Sequence, residues 1–232
     1  MSSWTQTRKE ERMLNYAGGE ILSDRSYNLA LGGTVFYGLA VNAIICMLVG
    51  DSVKNVNPML LLIGYAVSCF IGVMLSKHSD NPIVSFIGYN LVVVPIGFVL
   101  SLLVSAYIGA GMGNLVFQAI VYTTVITFCM VGLSITMPDF FSRIGGILLA
   151  SLFGLIIAET LALFFFPGAQ NIFSWIGAAI FSLYIGYDYW KSQEYPKTLD
   201  NAVDSALDIY LDIINLFIRI LEILGNKSSK RN

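Results

Sequence analysis

The stretch DSALDIYLDIINLFIRILEIL, residues 204–224, decides how this chain is read. Its length and apolar content suit a membrane span of about 20 residues, yet it carries Asp204, Asp208, Asp212, Arg219 and Glu222. A charge at the centre of a lone helix in lipid costs about 3 kcal/mol on insertion scales. On a helix turning about 100° per residue, Asp204, Asp208, Asp212 and Arg219 fall on one face. Asp212 sits roughly 15 Å into the span, too deep for its short side chain to snorkel. That face must meet protein or water, so the segment is expected to be an inner helix.

The rest of the chain has the composition of a lipid-solvated protein. Of 232 residues 56% are hydrophobic and 12% charged, against roughly 25% charged in soluble domains. The net charge of −2 gives no electrostatic footprint for nucleic acid. Cys46, Cys69 and Cys129 lie in apolar runs without metal-ligand spacing and read as packing residues. Seven apolar runs recur: 29–50, 59–76, one opening after Pro82 and reaching Ile108, 115–135, 144–166, 172–190, and one beginning near Ala202. GAGMGN separates the third from the fourth as a tight turn, and TMPDFFSR separates the fourth from the fifth. None alternates in polarity, so barrel strands are excluded.

The expected organisation is a polar N-terminal tail over 1–28, a seven-helix transmembrane domain over 29–225 and a short tail over 226–232. The tail precedes any apolar run by too much for a cleavable signal, so the first span directs insertion. With the N-terminus inside, the inner segments hold eight Lys and Arg against four outside, which predicts a cytoplasmic N-terminus and an external C-terminus. Glycines such as Gly64, Gly72, Gly145 and Gly154 suit close helix contact in lipid.

A partner for Asp212 follows from hairpin geometry. GYDYWKSQEYPKTLDN, residues 186–201, ends the sixth span near Asp188 and turns between Pro196 and Asp200. Equal depth pairs Asp188 with Asp212 if the turn centres on residue 200, and with Asp204 if it centres on Pro196; counting leaves both open. Two carboxylates meeting in a low-dielectric site share a proton, which makes a proton switch. They are also oxygen ligands for a hard cation such as calcium, which competes with the proton. The structural alternative is that Asp212 pairs with Arg219 or bonds to backbone, and only fastens the bundle. Asp204, in the first turn of its helix, is expected to meet water and the helix dipole. Arg219 and Glu222 are spaced to pair with each other. Glu159, deep in the fifth span, must face the interior, as a second cation ligand or as a protonated hydrogen-bond donor.

The same residues carry a resemblance. IFSLYIGYD, residues 180–188, followed by ALDIYLDIINLFIRILEILG, residues 206–225, resembles the C-terminal signature of the transmembrane Bax inhibitor motif family. The resemblance implies an all-α membrane protein, six helices wrapped around a central seventh, in the cell (cytoplasmic) membrane with its N-terminus inside. It implies an aspartate dyad linked to a pH-sensitive calcium leak, which on this chain is Asp188 with Asp212, and so selects between the two registers. Calcium is then a transported ion held transiently by the pair, with no permanently bound cofactor. Bacterial members carry an arginine near the end of the second helix that latches the dyad; here that region reads MLSKHSDNP, residues 74–82, offering Lys77 or His78. As a histidine, His78 is also a candidate pH sensor. Asp208, Glu159 and Arg219 are further candidates for the ion path or its gate.

No P-loop, HExxH, CxxC, GxSxG or dinucleotide fingerprint occurs, and the single histidine leaves no histidine-based metal site or triad, so an enzyme is not expected. Two other readings compete with a leak channel. Some bacterial relatives in the family resemble modulators of a membrane protease, which would give the N-terminal tail a partner. A proton-coupled cation transporter would use the same dyad. The expected partners are calcium and protons, the lipid bilayer and, in the regulatory reading, a membrane protease; nucleic acid is not among them.

Overall fold

The computed structural model describes residues 20–50, 58–165 and 170–229. Among these residues the fold is entirely helical: α1 Asp24–Val49, α2 Pro58–His78, α3 Pro82–Gly109, α4 Gly113–Thr136, α5 Pro138–Phe165, α6 Gln170–Glu194 and α7 Leu199–Ser229. Each expected run is one helix. Four of them, α1, α3, α4 and α5, are long and apolar enough to cross a membrane. The apolar part of α2 that qualifies, Ile63–His78, is shorter, and α6 and α7 carry the charges that lower their hydropathy.

Two boundaries differ from the expected ones for local reasons. α1 starts at Asp24, inside the stretch assigned to the tail, because the Ser23 side chain caps it by accepting from the Ser26 N–H at 3.2 Å. α5 starts at Pro138, so the expected loop TMPDFFSR shrinks to Met137; proline suits the first helical position, where its missing N–H has no partner to lose. The GAGMGN turn is present, with Gly111 at φ +76°. Cys46, Cys69 and Cys129 are all free thiols.

The chain divides into two compact units. Among the described residues the first comprises 20–50, 58–111 and 192–210: α1 to α3, the α6–α7 turn and the first three turns of α7. Its interior holds Tyr27, Tyr89, Val92, Val93, Leu207 and Tyr210, all fully buried. α2 and α3 cross backbone to backbone: a Cβ on Gly72 would sit 2.6 Å from the Gly88 carbonyl oxygen, and one on Gly88 would sit 2.5 Å from that of Gly72. Such contact replaces the missing hydrophobic drive between helices in lipid. On α1, the Asn42 side chain donates to the Gly38 carbonyl at 2.8 Å and to the Tyr210 hydroxyl at 2.5 Å, joining α1 to α7.

Among the described residues the second unit comprises 112–165, 170–191 and 211–229, thus α4, α5, most of α6 and the rest of α7. Phe141, Ile185, Leu216 and Leu221 fill its interior. The Ser134 hydroxyl donates to the Gly186 carbonyl at 2.7 Å, tying α4 to α6. In both units the surface is apolar: Phe36 is 73% exposed, Phe128 74% and Phe164 77%. Large apolar side chains facing outward at this density belong against lipid. α7 is the opposite, with residues 201–207 all buried in the first unit and most of 212–221 buried in the second. The sequence's inner helix is an inner helix.

Candidate functional site

The turn feeding α7 is built from Tyr195 to Thr198. Thr198 donates its N–H to the Pro196 carbonyl at 2.8 Å, the Asn201 side chain donates to the same oxygen at 2.9 Å, and the Thr198 hydroxyl accepts the Asn201 N–H at 3.1 Å. Residue 200 is therefore inside the first turn of α7 and not at the centre of the hairpin. The equal-depth count from residue 200 is corrected on this point: proline ends the preceding helix early and a three-residue cap starts the next one.

Asp188 and Asp212 nevertheless belong to the same unit, and both are buried, at 9% and 7% exposure. Tyr184, one turn before Asp188 on α6, lies close enough to feel the charges of Asp188, Asp212 and Lys191. The Lys191 ammonium is 3.4 Å from Asp188 Oδ1 and stands 5.9 Å above the Tyr187 ring. The neighbourhood thus contains two carboxylates, one ammonium and two phenols. Taking a carboxylate out of water is expensive unless it is paired, hydrogen-bonded or protonated. The Lys191 ammonium is one such partner, for Asp188. Among the described residues no three His, Cys, Asp or Glu side chains converge as a metal cage.

Farther along α7 in the same unit, Arg219 carries a second polar cluster. Its guanidinium lies 2.6 Å from Glu159 Oε1 on α5, donates to Glu159 Oε2 at 2.9 Å, and reaches Glu222 at 3.4 Å. The Ser174 hydroxyl of α6 donates to Glu222 at 2.8 Å. Arg219 thus pairs with Glu222, as spaced, and also with Glu159. Glu159, expected as a second cation-path ligand or a protonated hydrogen-bond donor, is engaged here by the Arg219 guanidinium.

In the first unit the aspartate stripe begins one turn earlier than the quoted stretch. Asp200 accepts from the Ser85 hydroxyl at 2.6 Å, Asp204 accepts from the Ser76 hydroxyl, and Lys77 donates to the Asp204 carbonyl at 3.0 Å and to the Asp208 carboxylate at 2.9 Å. Asp204 is 2% exposed. The expectation that it meets water is corrected: the ends of α2 and α3, brought together by the Gly72–Gly88 crossing, cover it. Of the two basic candidates Lys77 reaches α7, whereas the His78 ring bonds the Met74 carbonyl of its own helix at 3.0 Å and is exposed. Replacing Lys77 by Met removes the ammonium from Asp208. With side-chain exposures of 11% and 23%, the change is expected to cost about 2–3 kcal/mol, read as a lower unfolding temperature in detergent.

Asp200, Ser76, Ser85 and Ser174 were not singled out by sequence reasoning. The four-residue period of Asp204, Asp208 and Asp212 runs back to Asp200 and would have found it; nothing in the pattern marks the serines. The N-terminal tail proposed as a protein contact lies mostly outside the described residues.

Comparison with known proteins adds the following. A family model described as "Inhibitor of apoptosis-promoting Bax1" matches residues 23–229. An uncharacterized protein of Helicobacter pylori is 29% identical over 163 residues, 68% of each chain. Bax inhibitor 1 of Schizosaccharomyces pombe is 40% identical over 95 residues, 40% of this chain and 35% of the yeast protein. Protein lifeguard 4 of Mus musculus is 31% identical over 117 residues, 50% of this chain and 49% of the mouse protein.

Proposed function

Because the chain belongs to the family of inhibitors of apoptosis-promoting Bax1, we propose that it is a membrane protein that passes calcium, or another cation, under control of the protonation of Asp188 and Asp212. The observation that carries this reading is the burial of both carboxylates in one unit, with Tyr184 in electrostatic reach of each. In the closed form one proton is shared, and the hydrogen-bonded pair holds α6 to α7. Loss of that proton leaves two negative charges in a low-dielectric site, and their repulsion separates the helices. The opened pair is also the stronger cation ligand, so gate and ion site are the same atoms. Lys191 and Tyr184 set how readily the proton leaves: the ammonium favours the charged form, and the apolar surroundings oppose it.

Lys77 serves as the basic latch of this scheme. It fastens the end of α2 to Asp208, one turn before Asp212 on the same helix face. The Lys and Arg count supports an N-terminus in the cytoplasm, and with it a location in the cell membrane. The test is calcium entry into dye-loaded proteoliposomes at pH 6, 7 and 8. Flux that rises with pH supports the scheme, and flux no greater than in empty liposomes at all three values ends it.

The words "inhibitor" in the family description and in the yeast relative's name favour a second reading, regulation of a partner protein. Here the polar N-terminal segment is the contact and a membrane protease is one partner class. Deleting residues 2–24 would then abolish partner capture while leaving calcium flux unchanged.

A further inference from the structure

We infer that Arg219 is a tethered cation that obstructs the path on the side of Asp212 remote from the α6–α7 turn; the inference rests on the conduction reading above. Arg219 follows Asp212 by seven residues, which on a helix is two turns, about 10 Å, along the same face. A cation leaving the aspartates along that face meets the guanidinium next. The side chain is held from three helices. Glu159 on α5 grips it through both oxygens, Glu222 on α7 lies 3.4 Å away, and Ser174 on α6 fixes Glu222.

The fourth element of the cradle is an absence of volume. A Cβ on Gly177 of α6 would lie 2.8 Å from Arg219 Nε and 3.1 Å from its Cδ, so the arginine stem runs directly against the α6 backbone. Gly177 is one turn from Ser174, which puts the groove and the Glu222 anchor on one face of α6. The arrangement positions a fixed positive charge among two carboxylates with a net charge of −1. Without the arginine the same oxygens carry −2 and attract the cation that the arginine repels.

A plain structural strut would use the same contacts, and the two roles predict different fluxes. The experiment is calcium entry into proteoliposomes at pH 7 for the full-length chain, with Arg219→Gln, Arg219→Lys, the double variant Arg219→Gln with Glu159→Gln, and Asp188→Asn as a control. Removing a like charge from a cation path of low dielectric is expected to raise flux about tenfold in Arg219→Gln, and Arg219→Lys, which keeps the charge, stays near wild type. The double variant keeps the raised flux but needs more calcium for half-saturation. A strut gives the reverse: Arg219→Gln falls in flux and unfolding temperature, and neutralising Glu159 returns the double variant to the wild-type level. That pattern overturns the inference. If Arg219→Gln does not fold, the double variant, which buries no uncompensated carboxylate at position 159, decides alone. Should Asp188→Asn change the flux while neither Arg219 variant exceeds wild type, the obstruction fails and the dyad stands. Should no protein conduct, both fall together.

Discussion

Asp188→Asn and Asp212→Asn are each expected to flatten the dependence of calcium flux on pH. A single titrating group changes the open population by up to about tenfold per pH unit on the steep side of its titration, so wild type between pH 6 and pH 8 has room for a change of more than tenfold. The amide is isosteric with the protonated acid and donates the same hydrogen bond, but it has no proton to lose. Each variant should therefore stay at the low-pH level of wild type throughout the range. The sign follows from the closed form being the protonated one: raising pH removes the shared proton, and the asparagine removes that response. Asp188→Asn should also loosen Lys191, whose ammonium lies 3.4 Å from the replaced carboxylate. A pH profile that survives in both variants places the sensor elsewhere, with Asp204 and Asp208 next to be tested.

Gly88→Leu is expected to abolish folding of the first unit. A Cβ there would come within 2.5 Å of the Gly72 carbonyl oxygen and 2.8 Å of the Ser76 N–H nitrogen. Both are backbone atoms of α2, so no side chain can rotate away, and the cost exceeds the roughly 1–3 kcal/mol of ordinary overpacking. The crossing also carries Ser76 and Lys77 to α7. Forcing α2 outward breaks the Asp204 and Asp208 contacts together, and a carboxylate buried without its partner costs several kcal/mol more. The measurement is the yield of monodisperse protein in detergent, expected to fall to near zero, beside Gly64→Leu as a control at a position where a Cβ meets nothing within 4 Å. Normal yield and unfolding temperature in Gly88→Leu would mean that α2 and α3 separate easily.

How much of this was legible beforehand depends on the kind of residue. Apolar runs near spanning length fixed the seven helices, because in lipid every backbone group must find its partner within the helix. The helix ends were not legible from hydropathy. Ser23 and Pro138 set them by capping and by a missing N–H, and each is a single-residue signal that an apolar window averages away. The stripe on α7 was legible as a stripe, since charge in an apolar helix is rare enough to be informative. Its partners were not. Ser76 and Ser85 are ordinary in a span until the Gly72–Gly88 crossing delivers them to Asp204 and Asp200. Glu159 and Arg219 lie sixty residues apart, and no local periodicity relates them.

The enclosure of α7 also has a consequence for biogenesis. Among the seven described helices it leaves the ribosome after the other six, and its stripe of four aspartates and an arginine makes it the one least able to enter lipid alone. Hydrogen-bond and ion-pair partners that make the stripe tolerable, Ser85, Ser76 and Lys77 in one unit and Glu159 and Ser174 in the other, all lie upstream. Insertion of α7 is thus conditional on the earlier helices that carry these partners being already in place. A nascent protein that misplaces α2 or α5 leaves the translocation machinery with a helix it cannot release into the bilayer, which exposes the failure to quality control before the path can conduct.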